Sequence, residues 1–107
     1  MKAEAWDVDV VDGLCGVNRR QLQRIAEFNG IAIYMYWSDH APPHFHAIHS
    51  GYDAAISIAG RRIIAGILPR QTLAIVLAWA KIRERELRDN WARAEAGEAL
   101  LHIPSLD

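Results

Sequence analysis

Three stretches of the chain alternate apolar and polar residues with a period of two, the pattern of a half-buried strand. In Trp6-Asp7-Val8-Asp9-Val10 the aspartates fall opposite Trp6, Val8 and Val10. From Ile31 to Trp37 the residues are β-branched or aromatic, with Ile31, Ile33, Met35 and Trp37 on one face and Tyr34 and Tyr36 on the other. Tyr52 to Ile58 alternates again, and Phe45 to His49 before it reads as extended chain that Ser50-Gly51 turns back. Ala59-Gly60 and Gly66 punctuate two further short strands near 61–65 and 66–68. Strands joined by such short turns predict an antiparallel meander.

Two segments carry a helical period instead. After Gly13 and Gly16, Asn18 is placed to cap a helix over about 19–28, where Leu22, Ile25 and Ala26 recur at helical spacing until Asn29-Gly30. Pro69 suits the start of a second helix, and Leu73, Val76, Leu77, Ala80, Leu87 and Trp91 then form one apolar stripe as far as Ala96. Gly97 is placed as its left-handed stop, and Glu84/Arg88 and Arg85/Asp89 sit one turn apart on its polar side. The predicted fold is therefore α+β: a small antiparallel sheet packed against one long C-terminal helix, with a shorter N-terminal helix.

A chain of 107 residues, 51% of them hydrophobic and four of them Trp, has material for one core and one domain. Its formal net charge of −1 supplies no overall basic field, so contact with nucleic acid would depend on a local patch. Cys15 is the single cysteine, which excludes an internal disulfide and suits a reducing cytoplasm. No apolar run approaches the ~20 residues of a membrane span, and the acidic N-terminus does not read as an export signal. A soluble, cytoplasmic protein is expected.

Chemistry concentrates in Asp39-His40-Ala41-Pro42-Pro43-His44-Phe45-His46, which holds three of the five histidines. A Pro-Pro step fixes φ twice and stiffens the corner. On a strand His44 and His46 project from one face and Phe45 from the other. If a tight turn returns Asp39 and His40 to that face, the patch suits a proton-relay pair, an anion site or metal ligation, with His49 a further candidate ligand. The plainer alternative is that the imidazoles bond backbone carbonyls beside a buried Phe45. Acid–base work needs no ion, so the reading requires no cofactor; a divalent metal held by Asp39, His40, His44 and His46 is the alternative.

Arg61, Arg62, Arg70, Lys81, Arg83, Arg85 and Arg88 gather positive charge in the second half, but Glu84, Glu86 and Asp89 interleave as on an ordinary solvated helix face. Trp79 and Trp91 read as core anchors, while Tyr34 and Tyr36 suit either core or a site wall. No Gly-rich phosphate loop, serine elbow, Cys-x-x-Cys pair or His-Glu-x-x-His helix occurs, which argues against nucleotide hydrolysis, serine hydrolysis and the common zinc folds.

The stretch Gly30–Tyr52, GIAIYMYWSDHAPPHFHAIHSGY, resembles the bacterial domain-of-unknown-function 4160 family, with its Ile-Tyr-Met-Tyr-like strand and Asp-His-x-Pro-Pro-His-Phe-His run. The similarity continues through Leu68-Pro69, Leu77, Trp79-Ala80, Arg83, Glu86-Leu87 and Asn90-Trp91. A core at residues 25–104 and an extension over 1–20 are thus expected within a single domain of 1–107. The resemblance implies a toxin component of a type II toxin–antitoxin module, paired with a small antitoxin from the adjacent gene. It carries no inherited catalytic assignment. The expected function is a toxin acting on RNA or translation, with His44 and His46 exchanging protons, Asp39 orienting His40 or a catalytic imidazole, and Arg83 steadying phosphorane charge. The alternatives are a module that inhibits a host protein by docking, and a metal-dependent nuclease.

Overall fold

The computed structural model describes residues 22–37, 39 and 41–105. Over these the chain forms strands β1 (Leu22–Phe28), β2 (Ile31–Tyr36), β3 (His44–His49), β4 (Tyr52–Ser57) and β5 (Ile63–Ile67), then helices α1 (Arg70–Ile82) and α2 (Glu84–Ala96). The sheet is antiparallel in the order β1-β2-β3-β4-β5, and from β2 onward it is the meander that the alternation predicts. The strand expected at 6–10 lies outside the described residues. Where two short strands were expected near 61–65 and 66–68 there is one, β5, because Gly66 takes φ +80° and stays paired with Ala54 instead of turning the chain.

Successive side chains of a strand leave opposite faces, and burial follows that rule. Ile31, Ile33 and Met35 of β2, Phe45 and Ala47 of β3 and Ile56 of β4 are buried with Val76, Trp79 and Ala80 of α1 and Leu87 and Ala94 of α2. The opposite face carries Tyr34, His46 and Ala55 side by side, since Tyr34 pairs with His46 and His46 with Ala55. A core on one face thus leaves the other free to present polar groups.

The expected N-terminal helix is wrong over its described part, which is strand β1. The apolar spacing that suggested a helix comes from a β-bulge: Arg24 pairs with Tyr34 and Ala26 with Ile33, so Ile25 is an extra residue. The bulge shifts the alternation by one and buries Ile25 and Ala26 together, imitating positions i+3 and i+4 of a helix. Asn29-Gly30, read as a helix stop, is a hairpin turn with φ 51° and 74°, the left-handed pair that a two-residue connection demands.

The single long C-terminal helix is also corrected: two helices of 13 residues each meet at Arg83, which has φ −100° and ψ 20°. In one straight helix Arg83 would lie on the buried stripe between Ala80 and Leu87, where an unpaired charge is costly. The break at Arg83 instead accompanies bonds from its guanidinium to the Ser105 carbonyl at 2.7 Å and to Glu86 at 3.4 Å. Gly97 ends α2 as expected, at φ 76°, with its own N–H and that of Glu98 bonded to the Ala94 and Arg93 carbonyls. Arg88 pairs with Glu84 as anticipated, whereas Asp89 pairs with Arg93 and not with Arg85.

Residues 98–105 form no regular element yet are bound down by side chains from both layers. Trp37 Nε1–H donates to the Glu98 carbonyl, Trp79 Nε1–H to the Pro104 carbonyl, and Ile103 N–H to the carbonyl of the bulged Ile25, each at 2.8 Å. Asn90, 1% exposed, both donates to the Leu101 carbonyl and accepts from the Leu101 N–H. This strap satisfies the polar groups that the core would otherwise strand.

Candidate functional site

The proline corner joins β2 to β3 and is fastened at its far end, where the Pro43 carbonyl accepts from Ile58 N–H at 3.0 Å beyond the end of β4. The Ala41–Pro42 bond is cis. The corner returns Asp39 to the histidine face of β3. Asp39 Oδ2 stands 2.9 Å from His44 Nε2 and 3.5 Å from His46 Nε2. The two imidazole rings lie 5.0 Å apart, edge to face. Tyr36 closes one side with its ring 4.8 Å from His46, and Trp91 of α2 closes the other at 5.3 Å from His44.

His44 is 7% exposed and has both ring nitrogens engaged. Nδ1 lies 2.7 Å from the Pro42 carbonyl oxygen. A carbonyl only accepts, so Nδ1 carries a proton and Nε2 faces the Asp39 carboxylate. Burial by itself lowers the His44 pKa, but the hydrogen bond to Asp39, the one to Pro42 and the carboxylate's charge outweigh it, and the net shift is upward from 6.5. His46 differs: its Nε2 is buried and has no hydrogen-bond partner among the described residues.

The raised pKa has a measurable consequence in protein freed of metal by chelation. Among the described residues the groups facing His44 are Asp39 and His46, with the uncharged Pro42 carbonyl and Trp91 ring. A group bound more tightly to its proton in the folded state stabilises fully below its unfolded pKa and ceases to do so as pH rises through the folded value. The melting temperature should therefore fall more steeply as pH rises above 6.5 in the wild-type protein than in Asp39→Asn. Parallel melting curves for the two would contradict the pairing.

Of the residues anticipated from the sequence, Asp39, His44 and His46 come together, their ligand atoms all within 4.8 Å of one another. His40 lies outside the described residues. His49 is held apart, its Nδ1 3.1 Å from the Gly30 carbonyl at the other end of β3. Arg83 makes its hydrogen bonds to Glu86 and Ser105, neither of them in the cluster. Arg61 pairs with Glu84, which also binds Arg88, so one carboxylate is shared between two guanidinium groups. Trp91 read as a core anchor but also walls the site; its Cα-to-ring direction depends on how α2 sits, which no local pattern encodes. The Pro42 carbonyl, which sets the His44 tautomer, is backbone and leaves no residue-type signal.

The family model for the domain of unknown function DUF4160 matches residues 30–92, more than half of the chain. The chain belongs to the DUF4160 family. The DUF4160 match spans β2 to β5, α1 and most of α2, and so includes Asp39, His44, His46, Tyr36 and Trp91. It leaves out β1 and the strap at 98–105 that binds it. No curated protein and no solved structure matches the chain. Among the described residues no helix is long and apolar enough to cross a membrane.

Proposed function

We propose that this DUF4160 protein is the cytoplasmic toxin of a bacterial type II toxin–antitoxin module and acts on RNA, or on another component of translation, through Asp39, His44 and His46. One observation carries the reading: three groups able to move protons or hold charge converge at a walled corner, and one of them, His46 Nε2, has no hydrogen-bond partner among the described residues. A buried polar atom without a partner is costly and is explained by a catalytic role, a water or an ion; among the described residues Arg83 Nε is the other such side-chain atom. Asp39 and His44 form the charged, preorganised side of the corner, and His46 is where a reacting group would be met. The reading rests on these three side chains and not on Arg83, whose Nη groups bond Glu86 and Ser105.

The experiment is induced expression in bacteria of wild-type protein and of Asp39→Asn/His46→Ala, with growth and RNA integrity followed together. Wild-type protein should arrest growth and fragment RNA; the double variant should lose at least about 100-fold of that activity. Undiminished arrest by a folded double variant rejects the role of the cluster.

A second reading, docking on a host protein or on the antitoxin, is favoured by β5. Among the described residues it is an edge strand of the sheet, and Ile64 and Ile67 are 44% and 63% exposed. An open apolar edge of this kind accepts an added strand from a partner. A docking inhibitor would titrate its target one to one, whereas an enzyme acts substoichiometrically.

A further inference from the structure

We infer that Asp39 Oδ2, His44 Nε2 and His46 Nε2 form a binding site for a single divalent transition-metal ion. Ligands about 2.0–2.2 Å from an ion in tetrahedral or octahedral array stand roughly 2.9–3.5 Å from one another. The two separations from Asp39 Oδ2, 2.9 and 3.5 Å, fall in that range. The remaining pair lies within 4.8 Å, so an ion held by all three requires the partly exposed His46 side chain to draw closer to His44.

Two features beyond the spacing point to an ion. His44 Nδ1–H donates to the Pro42 carbonyl, which directs Nε2 at the carboxylate. In the metal-free protein a proton bridges the two, as the hydrogen bond to Asp39 shows; a cation can take that proton's place, and an imidazole whose other nitrogen is fixed by a carbonyl is the usual form of a metal-bound histidine. His46 Nε2 is buried with its hydrogen-bonding capacity unused among the described residues. One ion would replace the proton between Asp39 and His44 and engage His46 Nε2 as well. Two imidazoles select a first-row transition ion over magnesium or calcium, which take oxygen ligands. Three protein ligands leave at least one coordination position for water or a substrate oxygen, so the site has the make-up of a reactive centre more than of a structural one.

The inference concerns the same three side chains as the toxin reading and would give that reading its cofactor, but it can be measured without substrate. Metal-stripped protein is titrated with zinc(II) by calorimetry and with cobalt(II) by visible absorption, with magnesium(II) as competitor. Wild-type protein should bind one zinc or cobalt ion per chain, unaffected by excess magnesium. His46→Ala and Asp39→Asn should each weaken binding at least about tenfold while keeping the wild-type circular dichroism spectrum, and His49→Gln, altered at the other end of β3, should bind as wild type does. Absence of saturable binding, displacement by magnesium, or unchanged affinity in His46→Ala overturns the site. Metal binding without growth arrest would sink the toxin reading alone, and arrest without metal binding would sink the metal site alone.

Discussion

Trp79→Ala is expected to lower the stability of the folded protein by about 3–5 kcal/mol, a large share of the roughly 5–15 kcal/mol that holds a typical domain together. Trp79 is wholly buried, with its ring 5.0 Å from that of Phe28 in β1 and 5.9 Å from that of Phe45 in β3. Its removal opens a cavity between sheet and α1 that these neighbours only partly fill. It also deletes the Nε1–H bond to the Pro104 carbonyl, which fastens the C-terminal strap. Trp79→Phe separates the two contributions: most ring volume is kept, and the lost bond alone should cost about 1 kcal/mol. Urea unfolding of both variants measures the difference, and a loss below about 1 kcal/mol for Trp79→Ala would contradict this packing. Because Phe45 sits between His44 and His46 on β3, the cavity also loosens the strand that aligns the two imidazoles.

Gly66→Ala should release β5 from the sheet. A Cβ built on Gly66 would stand 2.3 Å from the Asp53 carbonyl oxygen and 2.8 Å from Ala54 Cα. These are backbone atoms of β4 and have no rotamer with which to yield. The φ of +80° adds the left-handed penalty of any side-chain-bearing residue. Together these cost about 2–4 kcal/mol. β5 is an edge strand among the described residues, so the molecule sheds that strain most cheaply by detaching it. Hydrogen exchange should then lose protection over Ile63–Ile67 while β2 and β3 keep theirs, and metal binding at Asp39, His44 and His46 should be little changed. Retained protection in β5 would show that the sheet absorbs the clash.

The alternation at Ile31–Tyr36 and Tyr52–Ser57 was legible because a strand's period of two is a property of adjacent residues, and both strands pair without interruption toward the site. The joint phase of His44 and His46, with Phe45 on the core side, follows from the same rule. Gly97 could be placed as a helix stop because its left-handed φ is a local demand. Where local reading went wrong, a distant partner had intervened. Leu22–Phe28 imitates a helix because the bulge at Ile25 turns that residue's carbonyl toward Ile103, 78 positions along the chain. The stripe from Val76 to Trp91 looks continuous until Arg83 is found bonded to Ser105.

Sequence by itself therefore determined the antiparallel meander from β2 onward, the helical C-terminal half, the proline corner and the face on which two imidazoles project, all set by interactions within a turn or between neighbouring residues. Tertiary structure alone decided that β1 is a strand, that the helix breaks at Arg83, that Asp39 returns to 2.9 Å from His44, and that His46 Nε2 is left without a hydrogen bond among the described residues. The physical reason is one of range. Period and turn chemistry act over a few bonds, whereas the satisfaction of a buried polar group depends on whichever segment the finished packing brings beside it.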